Sequence, residues 1–163
     1  MMPIPAALAV TLTSMFTLAH GMQNEPTDFL GIAWGRALSE VRADLKPISE
    51  EGDSGHYRRL ADRPFYAGIE VRRISYYFYQ GQFTSGTFLT VGSNDLKTIV
   101  SHLTDRYGAP KVVNPRHRVY AWEGARMGIT VSCDITISCY TEFYDIALRL
   151  KEQANGTTVE DRD

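Results

Sequence analysis

Cysteine and histidine are scarce in this chain, and with them the residues that build metal or redox chemistry. Of 163 residues, two are cysteine and four are histidine. His20, His56, His102 and His117 show no metal-ligand spacing and no cysteine or carboxylate partner at a fixed offset. No metal site and no cofactor follow. A Gly-x-Ser-x-Gly elbow, a phosphate loop and a dinucleotide fingerprint are all missing, so no catalytic residue is assigned. Positive charge is not in excess either. The net charge is −2 and the pI about 6.1, without the basic footprint of a nucleic-acid binder. Arg58-Arg59 and Arg72-Arg73 lie in strand-like runs, where neighbours point to opposite faces, so neither pair alone makes a patch. Hydrophobic content of 44% and charged content of 22% are ordinary for one globular domain.

Long apolar stretches are missing except at the start. Pro5 to Ala19 is almost free of charge and the right size for the core of a signal peptide. Small residues at Ala19 and Gly21 set cleavage before Met22. The run is shorter than the roughly 20 residues a membrane span needs, so no stable anchor is expected after removal. The expected organisation is a signal peptide over 1–21, a short flexible lead over 22–27, one domain over 28–150 and a flexible tail over 151–163. The expected location is the periplasm or the exterior.

What the chain has in quantity is aromatic strand. Residues 70–91, EVRRISYYFYQGQFTSGTFLTV, are dense in aromatic and β-branched side chains. Gln80-Gly81-Gln82 interrupts them, so the stretch reads as a hairpin of 74–79 with 83–91. A loop of about three residues, 80–82, sets Tyr79 opposite Phe83 and Tyr76 opposite Gly86. Ile74, Tyr76, Phe78, Thr84, Gly86 and Phe88 then share a core face. Arg73, Ser75, Tyr77, Tyr79, Phe83 and Leu89 share the other. Either another segment covers that second face or it is a contact surface, since Tyr and Arg are enriched at binding hot spots. The candidate binding residues are Arg73, Tyr77, Tyr79 and Phe83.

Leu96, Ile99, Val100, Leu103 and Tyr107 follow a helical spacing over 94–107, with Gly108 and Pro110 to end it. A short helix at Leu38, Val41 and Leu45, with Ser39 as its cap, stops at Pro47. Strands are expected at His56 to Leu60, Val119 to Trp122, Ile129 to Cys133 and Phe143 to Leu150. The order of helix then antiparallel strands comes twice, a possible tandem repeat. It predicts an α+β fold: an antiparallel sheet of about six strands with helices packed on one face.

Cys133 and Cys139 leave two readings. Residues 129–139 alternate as one straight strand, which would hold the sulfurs about 20 Å apart. A turn through Asp134 to Ser138 would instead let them bond across a hairpin. Periodicity favours the first and an oxidising location the second, which gives an expected disulfide.

Four runs together carry a resemblance. They are Phe29-x-Gly31-Ile32-x-Trp34-Gly35, Ile74-Ser75-Tyr76-x-Phe78-Tyr79-x-Gly81-x-Phe83, Arg106-Tyr107-Gly108-x-Pro110 and Tyr120-x-Trp122. The set resembles a group of uncharacterised exported bacterial proteins, which implies export and no functional residues. More distantly, the repeated element order is similar to β-lactamase inhibitory protein and to small outer-membrane assembly lipoproteins. This chain lacks the lipidation cysteine of the latter. Members of both act by binding proteins, so the resemblance implies a non-catalytic binding module for another extracytoplasmic protein. The alternatives are a small secreted hydrolase built on paired carboxylates and a structural envelope component.

Overall fold

A computed structural model describes residues 21–114 and 116–160, with side chains through residue 156. The expected signal peptide, apart from Gly21, lies outside the described residues. The centre is an eight-stranded antiparallel sheet in the order β3-β4-β7-β8-β12-β11-β10-β9. Its strands are β3 (Leu45–Glu51), β4 (Ser54–Arg59), β7 (Arg73–Tyr79), β8 (Gln82–Val91), β9 (Lys111–Asn114), β10 (Val119–Glu123), β11 (Met127–Cys133) and β12 (Ser138–Asp145). Each half runs in chain order from edge to centre, and the halves meet where β8 pairs with β12. Two small hairpins complete the strands: β1 (Asp28–Phe29) with β2 (Ile32–Ala33), and β5 (Phe65–Tyr66) with β6 (Ile69–Glu70). The helices are α1 (Leu38–Val41), extended by a tight turn over Arg42–Asp44, α2 (Ser93–Tyr107) and α3 (Ile146–Glu160).

The expectation of an α+β fold with about six strands and helices on one face is therefore corrected. Strand outweighs helix, 47% against 24%, which makes the fold mostly β. Two edge strands account for the difference. β3 carries Pro47 and little apolar alternation, and a register shift between Pro47 and Ser49 lets the proline sit at the sheet edge. β9 is only four residues long.

α2 covers the inner face of the sheet. Its stripe of Leu96, Ile99, Leu103 and Tyr107 is buried against Tyr76, Phe78, Phe88, Trp122 and Phe143 in one cluster. Gly108, at φ 89°, ends the helix, and its carbonyl accepts the Trp122 indole N–H at 2.8 Å. α3 lies on the opposite face, which breaks the one-face expectation. It replaces the expected strand end over 146–150 and extends through residue 160 of the expected tail. Asp145 causes the switch. It is nearly fully buried, paired with Arg126 at 3.2 Å, and accepts the Leu148 N–H at 3.1 Å as an N-cap does.

The expected flexible lead is bonded into the fold. Met22 N–H donates to the Glu123 carbonyl and Gln23 N–H to Tyr107, both at 2.9 Å. The Glu25 carboxylate accepts backbone N–H groups from Ala125, Arg126 and Met127. Burial pushes its pKa up, but those three bonds and the Arg126 charge outweigh it and hold the carboxyl below its usual range.

Cys133 and Cys139 are bonded and sit directly opposite each other in the β11–β12 hairpin. The turn reading therefore replaces the straight strand. Asp134 makes the turn, accepting from the Thr136 N–H, the Thr136 hydroxyl and the Ser138 N–H. Among the described residues no helix is long and apolar enough to cross a membrane.

Candidate functional site

The hairpin of β7 and β8 decides which side chains reach the outer face. Its loop has two residues: Gln80 and Gly81 both have positive φ, and Tyr79 pairs with Gln82. That is the backbone of a tight primed turn. A bulge then leaves Thr84 as an extra residue in β8, and the register resumes with Tyr77 opposite Ser85 and Tyr76 opposite Gly86. The expected Tyr76–Gly86 pair is present. Phe83, however, is moved to the inner face, is fully buried, and stacks on Trp34 at 5.0 Å. The loop is one residue shorter than the expected 80–82, which sets Phe83 opposite Phe78 and not Tyr79. Its assignment to a contact surface is thereby corrected, Thr84 leaves the expected core face, and the bulge then restores the expected Tyr76–Gly86 register.

The other three candidate residues do lie on the outer face, in two different settings. Tyr77 and Tyr79 are half-buried beneath α3. The Tyr77 hydroxyl donates to Glu152 at 2.5 Å, and Asn155 donates to the Tyr79 hydroxyl at 2.8 Å. Burial first, and the Glu152 carboxylate second, push the Tyr77 phenol well above its ordinary range. Arg149 on the same helix pairs with Glu142 and lies over the Tyr144 ring at 3.8 Å. Glu142 and Glu152 line one depression under α3, each already bonded to a side chain of its own.

Arg73 lies beyond the reach of α3 and is exposed. Around it the outer face stays open. Ile48, Ser49, His56, Ser75, Thr87, Leu89 and Tyr140 join Arg73 in lining a depression of about 280 Å³. Ile48 is 55% exposed and Tyr140 50%, a large apolar and an aromatic side chain left uncovered on one surface. Ser75 and Thr87 hydroxyls bond each other at 2.6 Å in its floor.

A second, larger cavity of about 630 Å³ adjoins the first and shares Ile48 and Arg73 with it. It lies where β4 and β7 part. Their register ends at Tyr57 opposite Tyr76, although β4 continues to Arg59 and β7 begins at Arg73. Arg58, Arg59, Arg72 and Arg73 line this fork, with Asp62 as its one carboxylate. Asp62 is occupied: Arg59 holds one oxygen at 2.6 Å and the Tyr76 hydroxyl donates to the other at 2.7 Å. Arg59 also donates to the Leu30 carbonyl. Among the described residues no carboxylate lies within ion-pair distance of Arg58, Arg72 or Arg73.

Sequence reasoning reached Arg73 and missed Ile48, Arg58, Arg72 and Tyr140. The two arginine pairs were visible, and alternation correctly forbade a patch from either alone. What assembles them is the fork, which brings both pairs to one cavity. No group of three His, Cys, Asp or Glu among the described residues is placed to hold a metal ion. No family model, curated protein or solved structure matches the chain, so the site is read from its own geometry.

Proposed function

We propose that this chain is a non-catalytic, extracytoplasmic protein-binding module, and that its contact surface is the open part of the outer sheet face around Arg73. The observation that carries the reading is the joint exposure of Ile48, Arg73 and Tyr140 on a rigid sheet, around a shallow depression. Rigid elements present side chains at low ordering cost, and Arg and Tyr anchor interfaces well. The Cys133–Cys139 bond and the signal-like start support a location outside the cytoplasm. The likeness in element order to protein-binding groups supports the class and no residue.

Photo-crosslinking in the native envelope tests it. A crosslinking side chain at position 140 joins the protein to a defined partner, and Arg73→Glu in the same chain removes the product. The same side chain at Lys97, exposed on α2, gives none. Equal products from positions 140 and 97, or no product from 140, contradict the proposal.

A further inference from the structure

The partner's chemistry can be read from the arginine fork, on the premise that the protein is a binding module. We infer that the cavity between β4 and β7 takes an extended acidic segment of the partner, with carboxylates on Arg58, Arg72 and Arg73 and apolar side chains on Ile48, Pro47 and Pro64. Three observations carry this. First, three arginines without an ion-pair partner among the described residues line one cavity. Arg59 and Asp62 satisfy each other, while Arg58, Arg72 and Arg73 have no carboxylate in reach among the described residues. Arg116 and Arg118 also meet, but in a smaller depression of about 170 Å³ that Asp134 shares. A guanidinium presents a planar fork of donors that fits a carboxylate with two bonds.

Second, the walls are not those of a site for a bare inorganic anion. Pro47, Ile48, Pro64, Val71 and Ile74 line the cavity between the arginines. A free phosphate would leave that apolar surface wet and the space of about 630 Å³ mostly unfilled. A segment alternating acidic and apolar residues covers both kinds of wall, because its side chains alternate as the chain extends. Third, the fork is a place where strand pairing stops while both strands continue. It therefore offers a cleft shaped for extended chain, a recurring way of recognising peptides at sheet edges. The cavity opens onto the depression around Arg73, so one partner can occupy both.

The probe is a capped peptide of about six residues, Glu alternating with Leu, about 20 Å long when extended. It is titrated into the folded protein and followed by amide, arginine side-chain and isoleucine methyl resonances. The expected result is saturable shifts at Ile48, Arg58, Arg72 and Arg73. Arg58→Ala/Arg73→Ala should weaken binding by about tenfold or more while leaving the rest of the spectrum in place. A Lys–Leu peptide should not bind. No shift up to about 1 mM acidic peptide, equal binding by the double variant, or inorganic phosphate binding as tightly as the peptide would each overturn the inference. Crosslinking from position 140 reports separately on the binding module. A product there with a silent fork removes the acidic segment alone, and silence at both removes both.

Discussion

Both faces of the central sheet are aromatic, yet they are built on different principles. The inner face is closed by rings without polar ends or with ends bonded inside. Phe29, Phe78, Phe83, Phe88, Trp122 and Phe143 pack with the α2 stripe, and the Tyr76 hydroxyl is held by Asp62. The outer face is tyrosine. Tyr77, Tyr79, Tyr140 and Tyr144 put a hydroxyl at the end of each ring, which asks for a polar cover or for water. α3 supplies that cover to Tyr77 and Tyr79 through Glu152 and Asn155, and stops short of Tyr140 and Arg73. An aromatic sheet face is thus no guide to exposure by itself. What separates core, cover and contact surface is whether the neighbouring element is apolar, polar or absent.

The contrast breaks most visibly at Phe83. Phe83→Ala should cost about 3–5 kcal/mol, as for a buried ring, in chemical denaturation. A loss below about 0.5 kcal/mol, the range of surface changes, would return Phe83 to the outer face. Glycines sharpen the comparison at the next level. A Cβ on Gly86 would overlap the Phe29 ring near its base on the inner face, and one on Gly128 would meet the far end of Tyr144 on the outer face. Phe29 is locked in the core, whereas Tyr144 is half-buried. Gly86→Ala should therefore cost about 1–3 kcal/mol, and Gly128→Ala clearly less. Equal losses would mean that the two faces are equally rigid. Tyr77→Phe removes the bond to Glu152 and should cost about 1 kcal/mol, with faster hydrogen exchange in α3 and none in α2. Arg73→Ala is the smallest change, within about 0.5 kcal/mol of wild type.

The same contrast explains what could be read from the chain alone. The α2 stripe was legible because five residues keep one helical phase, and Tyr76 opposite Gly86 was reached because the extra residue at Thr84 offsets a loop one residue shorter than expected. Phe83 was not, since a loop of two residues in place of three sets it opposite Phe78 and reverses its face. β3 hides behind Pro47, and α3 behind the apolar run from Phe143, although Asp145 marks its start. Arg73 could be named as a contact residue from its strand. Ile48, Arg58 and Tyr140 could not, because they meet it only through the pairing of β3, β4, β8 and β12.

The central claim is that the open part of the outer face, and not the part beneath α3, binds the partner. Affinity for the crosslinked partner, once purified, tests this with two variants: Arg73→Ala/Tyr140→Ala in the open part and Tyr77→Phe/Tyr79→Phe in the covered part. The account predicts a loss of about tenfold or more, roughly 1.4 kcal/mol, for the first and less than about twofold for the second. Loss of binding by the phenylalanine pair, with the open-face pair unchanged, would contradict it.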